Sequence, residues 1–194
     1  YVMVGTIVWQ MFVESFNAPL KAVTAAKPML AKINFPREAL LVAAFYQMLY
    51  GVLTKLVVIV GILLVFHVPL NWSLLAALVP MLMLVLGGMC AGIFLTPVGM
   101  LYSDVATALP VFTQLLFFVT PVVYAPPDTF PFSLIKVVNP VSPLLIAARD
   151  ILIKGTFTNP TAVALVGGAT LLGLVAGLAI YRMAIPILIE RTSA

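Results

Sequence analysis

Charge is the scarcest property of this chain. Only 8% of its 194 residues are Asp, Glu, Lys or Arg, whereas 63% are hydrophobic and the mean hydropathy is +1.21. Soluble domains carry about a quarter charged residues, so this composition excludes a soluble globular domain and a disordered chain. The ten Lys and Arg residues are too few for a nucleic-acid surface. The composition therefore indicates an integral membrane protein.

Residues that carry chemistry are also scarce. The chain has one cysteine, Cys90, and one histidine, His67, so it has no intramolecular disulfide and too few ligands for a protein-only zinc site. It contains no Gly-x-x-x-x-Gly-Lys-Ser/Thr stretch, so we expect no bound cofactor and no ATP hydrolysis by this chain alone. The six acidic residues are scattered near the expected ends of spans: Glu14, Glu38, Asp104, Asp128, Asp150 and Glu190. No paired-carboxylate site is indicated, and an enzyme is disfavoured.

Uncharged runs predict an all-α, polytopic bundle with five spans, because a membrane-spanning helix needs about 20 apolar residues. A single domain, 1–194, contains these spans at about 1–17, 39–67, 73–100, 105–124 and 161–183. The first span is short and begins at Tyr1 without an initiator Met. We therefore expect a fragment or processed form, and if the intact protein starts in the cytosol, one span is missing upstream.

Basic residues predict the orientation, since cytoplasmic loops carry the excess of Lys and Arg. One side holds six of them: Lys21, Lys27, Lys32, Arg37, Arg182 and Arg191. The opposite side holds three: Lys136, Arg149 and Lys154. We expect a multi-pass protein with its first residue outside and its C-terminus in the cytosol.

Two connections are too long to be simple turns. Segment 18–38 mixes apolar and basic residues at roughly helical spacing, which predicts a short interfacial helix that begins near Pro28 or is kinked there. A basic loop held to anionic lipid is the alternative. Segment 125–160 lies outside and holds apolar stretches too short to cross, which predicts re-entrant helices forming an outer gate or cap.

Several stretches together resemble the permease subunit of type-2 ABC exporters. They are Lys32-Ile-Asn-Phe-Pro-Arg-Glu38, Leu95-Thr-Pro97, Leu101-Tyr-Ser-Asp-Val105, Thr120-Pro-Val-Val-Tyr124, Asn139-Pro140 with Pro143 and Arg149, and Glu190-Arg191. The nearest subgroup exports lipid-linked polysaccharides, O antigen, capsule and teichoic acids. Ser103 departs from the family pattern, which usually has a basic residue there.

The resemblance implies a function and its partners. The chain would be the transmembrane subunit of an ATP-driven exporter in a bacterial plasma membrane, working as a homodimer. Separate ATP-binding cassette subunits would bind ATP and Mg, and the cargo would be a lipid-linked polysaccharide or polyol phosphate. The alternatives are export of a drug or small lipid by the same fold and, more distantly, an ion-coupled secondary transporter. A secondary transporter is expected to place carboxylates or His in the middle of its spans, where only Lys55 is found.

The resemblance also assigns roles to the two long connections. Segment 18–38 would be the coupling helix that meets the ATPase, with the residues Lys27, Lys32, Phe35, Pro36, Arg37 and Glu38. The outer gate would include Tyr124, Asn139, Pro140 and Arg149. We expect Arg149 to fasten the gate helix rather than to touch substrate.

Aromatic residues at helical spacing are candidates for the substrate path. Trp9, Phe12 and Phe16 recur at intervals of three and four on the first span, and Tyr46 and Tyr50 on the second. Aromatic faces stack on sugar rings, and the resemblance implies aromatic lining of a polysaccharide channel. Helix packing or an interfacial belt is the alternative.

Lys55 is the one basic residue predicted deep in a span. It lies 16 residues past Ala39, about 24 Å along a helix at roughly 1.5 Å per residue. Its ammonium either contacts an anionic group of the substrate, such as a phosphate, or extends towards the outer membrane face.

The coupling assignment has a direct test. We predict that reversing the charges of Lys32 and Arg37 lowers substrate-coupled ATP hydrolysis in the complex, because the contact with the ATPase is lost. The variant should still insert and fold, as judged by membrane fractionation and size-exclusion chromatography. Full coupling in the double variant would contradict the assignment, and a response that follows lipid composition would favour headgroup binding by Arg37.

Overall fold

The computed structural model describes residues 1–30, 38–67, 73–124, 139–157 and 159–193, which form seven helices and no strand. The helices are α1 (Val2–Leu30), α2 (Glu38–Val65), α3 (Ser73–Ala76), α4 (Leu78–Leu101), α5 (Ser103–Val119), α6 (Val141–Lys154) and α7 (Pro160–Ser193). The prediction of an all-α chain is confirmed for this part of the sequence.

Three of the described helices are long and apolar enough to cross a membrane. They are Ala39–Val65, Leu74–Leu101 and Pro160–Ile185, and they correspond to the predicted spans at 39–67, 73–100 and 161–183. The predicted fourth span is the shorter apolar helix Asp104–Val119. Although α1 has 29 residues, it is not in this set. Polar residues recur along α1 and lower its hydropathy. Packing against neighbouring helices therefore holds α1 in the bundle.

The boundary predicted at residues 17 and 18 is not a helix end. Helix α1 continues without interruption from the predicted first span into the predicted coupling segment and ends at Leu30. Ala18, Leu20 and Val23 are all buried, so the packed face of α1 extends beyond residue 17. This burial is the physical reason that the helix does not stop there. The remaining residues of the coupling segment, 31–37, lie outside the described part of the chain.

Glycines let α1 approach α4 closely. A Cβ at Gly88 would lie 2.7 Å from the carbonyl oxygen of Phe12, and one at Gly92 would collide with the carbonyl oxygen of Phe16. Further along, Gly99 meets the side chain of Leu20, so the two helices run in the same direction. Gly88-x-x-x-Gly92 is thus a small-residue motif of the kind that lets membrane helices pack closely.

Glycines also let α7 pack closely against α4. A Cβ at Gly173 would lie 2.8 Å from Sγ of Cys90, and Gly177 lies against Ile93 and Phe94. Contacts advance together along both helices, so α7 is also parallel to α4. The second small-residue motif, Gly173-x-x-x-Gly177, therefore also serves packing.

Helix α6 lies at the end of the bundle where α1 begins, and we call this the capped end. Gly5 of α1 contacts the carbonyl of Val122 and the side chain of Arg149. Ten of the fourteen residues of α6 are buried, mainly against α4. Gly155 ends α6 in the left-handed region, with φ 68°, and its amide donates to the carbonyl of Ile151 at 3.1 Å. A helix of this length cannot span, so α6 covers the bundle instead.

Close packing at Gly92 yields a stability prediction. Gly92→Ala should lower the free energy of unfolding by about 1–3 kcal/mol, because the new methyl group must displace the backbone of α1. Gly168→Ala is the matched control, since no atom lies within 4 Å of a Cβ placed there. Thermal unfolding in detergent, followed by size-exclusion chromatography, compares the two. Equal melting temperatures would contradict the proposed packing constraint.

Candidate functional site

Polar residues form a continuous stripe along one side of α1. Gln10, Glu14, Asn17 and Lys21, which we call the polar stripe, follow one another at intervals of four, three and four. Such spacing places them on one face of a helix. Gln10, Glu14 and Lys21 are exposed and Asn17 is half-buried, whereas the opposite face of α1 is buried against α4. The exposed face of α1 is thus hydrophilic along these four positions.

An ion pair joins the polar stripe to α2. Nζ of Lys55 lies 2.5 Å from Oε2 of Glu14. Gly51 makes room for the carboxylate, because a Cβ there would lie 2.6 Å from the same oxygen. Gln47 and Thr54 are exposed and stand four residues before and three after Gly51, so they continue the polar surface onto α2.

The position of this ion pair corrects the expectation that Glu14 lies near the end of a helix. Glu14 lies inside α1, about 18 Å from its start at Val2 at roughly 1.5 Å per residue. From the sequence alone, this acid is expected at the end of a short first span. The signal that could have located it is the spacing of Gln10, Glu14, Asn17 and Lys21, which makes sense only if one helix continues through all four.

The aromatic residues of α1 lie inside the protomer. Trp9, Phe12 and Phe16 expose 5%, 5% and 6% of their surface. Their rings form a ladder: Phe12 stacks on Phe16 with centroids 6.0 Å apart, and Trp9 contacts the edge of Phe117 on α5 at 5.9 Å. These contacts favour the packing alternative for all three residues.

The two tyrosines of α2 lie elsewhere. Tyr46 and Tyr50 expose 65% and 72% of their surface. The three aromatic residues of α1 are buried and these two are exposed, so the structure does not place the five predicted aromatic residues on one common surface of the protomer. Tyr46 and Tyr50 alone are accessible to a ligand or to a second subunit.

Arg149 fastens α6 to the end of α5. Its side chain is 1% exposed, and Nη1 donates to the carbonyls of Pro121 and Val122 at 2.8 and 3.2 Å. The guanidinium also lies 4.0 Å from the centroid of the Tyr1 ring, within the range of a cation–π contact. This geometry ties α6 to the residues that follow α5, whereas the assignment of α6 to an outer gate stays a prediction.

Burial and nearby groups act on Arg149 in opposite senses. Removal from water lowers the pKa of the Arg149 guanidinium, while Tyr1 and the neighbouring Asp150 raise it. An arginine starts from so high a pKa that it keeps its charge. Nε of Arg149 is buried without a hydrogen-bond partner among the described residues. The two hydrogen bonds from Nη1 to backbone carbonyls therefore offset much of the cost of burying the guanidinium.

Asn139 supports the same junction. Its Nδ2 donates to Oγ1 of Thr120 at 2.8 Å, and its Oδ1 accepts from the amide of Val141 at 3.0 Å. The second bond closes an Asx turn that starts α6, whose N-cap is the exposed Pro140. The fourth predicted gate residue, Tyr124, is 38% exposed at the same end. The structure therefore groups the described gate residues at the capped end.

The predicted coupling residues are only partly described. Lys27 lies in the last turns of α1, and Glu38 begins α2. Lys32, Phe35, Pro36 and Arg37 fall outside the described residues. Their assignment to the ATPase interface stays a prediction.

The polar stripe offers groups that can bind a polar ligand. Within the described ranges, no group of three or more His, Cys, Asp or Glu side chains is placed to hold a metal ion. The polar stripe provides amide, carboxylate and ammonium groups along one helix. Such a surface can solvate a polar ligand at membrane depth.

In comparisons with known proteins, no protein-family model matches this chain, and no curated protein sequence matches it.

The hydrogen bonds from Arg149 to the carbonyls of Pro121 and Val122 lead to a stability prediction. Arg149→Met should lower the free energy of unfolding by about 1.5–3 kcal/mol, because hydrogen bonds to a charged group are lost and two buried carbonyls lose their donor. Lys154→Met is the control: Lys154 is 56% exposed on the same helix and pairs with Asp150 at 3.2 Å. Thermal unfolding of the two variants measures the difference. Equal destabilisation would contradict a specific role for Arg149.

Proposed function

We propose that this chain is the transmembrane subunit of an ATP-driven exporter, and that it moves a lipid-linked polysaccharide or polyol phosphate out of a bacterial cell. It would work as a homodimer in the plasma membrane, with five spans in this sequence and its C-terminus in the cytosol. A separate ATP-binding cassette subunit would bind ATP and Mg. Motif resemblance along the chain supports the class of transporter.

The observation that carries the proposal is the exposed polar stripe. A charged side chain at the bilayer centre costs about 2.5–3.5 kcal/mol, so Glu14 and Lys21 are poor residues to present to lipid tails. Gln10 and Asn17 extend the same face. A polar surface in this place suits a water-filled path or a protein interface, and both are features of a transporter.

A second copy of the chain would enclose this path. In a two-fold symmetric dimer, each protomer presents the same surface to its partner. Two polar stripes facing each other would form a hydrophilic passage, while apolar residues on the outside of α2, α4 and α7 contact lipid. The exposed residues of α7 include Leu165 and Leu172, which are 76% and 75% exposed.

The surface suits an amphiphilic cargo. Amides and charges of the polar stripe would solvate sugar hydroxyls or phosphates, and the exposed rings of Tyr46 and Tyr50 could stack on sugars from the side. The apolar surface that flanks them would accompany a lipid chain. A drug or small lipid carried by the same fold would need less polar length than this stripe provides.

Movement would come from the partner subunit. Closure of the ATP-binding subunits would act on the coupling segment 18–38, which begins within α1, and α1 carries the polar stripe. At the other end, Arg149 and Asn139 hold the cap to residues 120–122. Release of this junction would open the path on the outer side.

The proposed path has a direct test. In the complex with its ATPase, the double variant Gln10→Leu and Asn17→Leu should lower glycan-stimulated ATP hydrolysis and export at least about fivefold, because each of the two lost hydrogen bonds costs about 0.5–1.5 kcal/mol. Leu165→Ala with Leu172→Ala on α7 is the control and should retain both activities. Unchanged export in the first double variant would contradict a path along α1.

One observation favours a second candidate function. An ion-coupled transporter is expected to place a carboxylate at mid-membrane, and Glu14 supplies one beside Lys55. Transport into inverted vesicles separates the two candidates. Dependence on ATP with insensitivity to a protonophore supports the exporter, whereas the reverse supports ion coupling.

A further inference from the structure

The ion pair between Glu14 and Lys55 lies far from either end of the helices that bear it. Lys55 is about 15 Å from the end of α2 at Val65, at roughly 1.5 Å per residue, and Glu14 is similarly deep in α1. Ionisable groups at this depth are expensive to bury, so such pairs mark ligand or ion pathways more often than they add stability.

The two members of the pair differ in their access to the surface. The side chain of Glu14 is 51% exposed, whereas that of Lys55 is 14% exposed. The carboxylate thus stands on the polar face, and the ammonium stands behind it. Gly51 leaves the space that the carboxylate occupies, so Glu14 covers Lys55 without being enclosed itself.

We propose that Lys55 is an anion-binding residue for phosphate-bearing cargo. The carboxylate of Glu14 pairs with the Lys55 ammonium until a phosphoryl group displaces the carboxylate. This inference rests on the proposed export function and names the charged group that the path recognises. The phosphoryl group could belong to the lipid carrier or to a polyol phosphate chain. Both present an anionic oxygen that can accept a hydrogen bond from Nζ.

Exchange of one anion for another explains why both charges are present. Without Glu14, the ammonium would be unpaired whenever the path is empty, which is costly in a medium of low dielectric. If no ligand displaced Glu14, the ammonium of Lys55 would not be available to bind one. Because one ion pair replaces another, binding is strong enough to select an anion and weak enough to release it, as conduction through a path requires.

Displacement also fits the position of the carboxylate. Glu14 is already half exposed on the stripe, between Gln10 and Asn17 along the same face. A small rotation of its side chain would leave it on a polar surface rather than in lipid. A purely structural ion pair has no need of that exposure.

Binding of defined probes tests the inference. The protein in phosphatidylcholine nanodiscs is titrated with radiolabelled farnesyl diphosphate, with a short poly(glycerol phosphate), and with farnesol as the uncharged control. We expect Lys55→Gln to weaken phosphate binding about tenfold, since a charge-assisted hydrogen bond is lost. Glu14→Gln should strengthen binding, because the competing anion is removed. The arm that responds identifies the lipid carrier or the polyol phosphate as the source of the phosphate.

Further variants keep the test decisive. Lys55→Arg should retain binding, and Lys154→Gln, which changes an exposed lysine of α6, should leave the affinity unchanged. If Glu14→Gln does not fold, Glu14→Asp shortens the carboxylate and should give a smaller gain in affinity. Equal affinities in wild type, Lys55→Gln and the Glu14 variant, or equal binding of farnesol, would overturn the inference.

Failure of this inference is distinguishable from failure of the proposed function. ATP-dependent export by the complex tests the function, and probe binding by the permease alone tests the anion site. Export together with binding that ignores Lys55 would remove only the anion site. Lys55-dependent binding without ATP-driven export would leave the anion site and remove the exporter.

Discussion

The close approach of α1 to α4 is the contact on which the rest of this structure depends. Helix α1 is too polar to count as a span by composition, yet its buried face packs along the glycine-bearing side of α4 at Gly88 and Gly92. Tight van der Waals packing of this kind is a main force between helices in a membrane, where apolar burial gives little net gain. The contact holds a polar helix within the bundle.

That placement decides which groups can meet. Because one side of α1 packs against α4, the polar stripe lies on the exposed face of α1. The same packing places Glu14 next to Lys55. The aromatic ladder of Trp9, Phe12 and Phe16 fills the side next to α5. The proposed path and the proposed anion site are therefore two consequences of one packing arrangement, whereas Arg149 secures the cap at the end of the bundle.

Features that depend on residues close together in the chain could be predicted from the sequence, whereas features that depend on contacts between distant residues could not. Three spans and the two small-residue motifs depend on local runs and spacings, and they were predictable. The extent of α1 was not, because Glu14 interrupts an apolar run in the same way as a true span end does. Nor could spacing decide between packing and lining for the aromatic residues, since both uses require the same intervals of three and four.

The sequence by itself determined that the chain is a helical membrane protein, because a low charge content and long apolar runs leave few other ways to satisfy the backbone. Its two Gly-x-x-x-Gly spacings also mark places where helices can approach closely. Only the tertiary structure decided that Glu14 and Lys55, far apart in the chain, form a pair, and that Tyr46 and Tyr50 are exposed while Trp9 is buried. These outcomes depend on how helices rotate about their axes against their neighbours, which no single helix specifies alone.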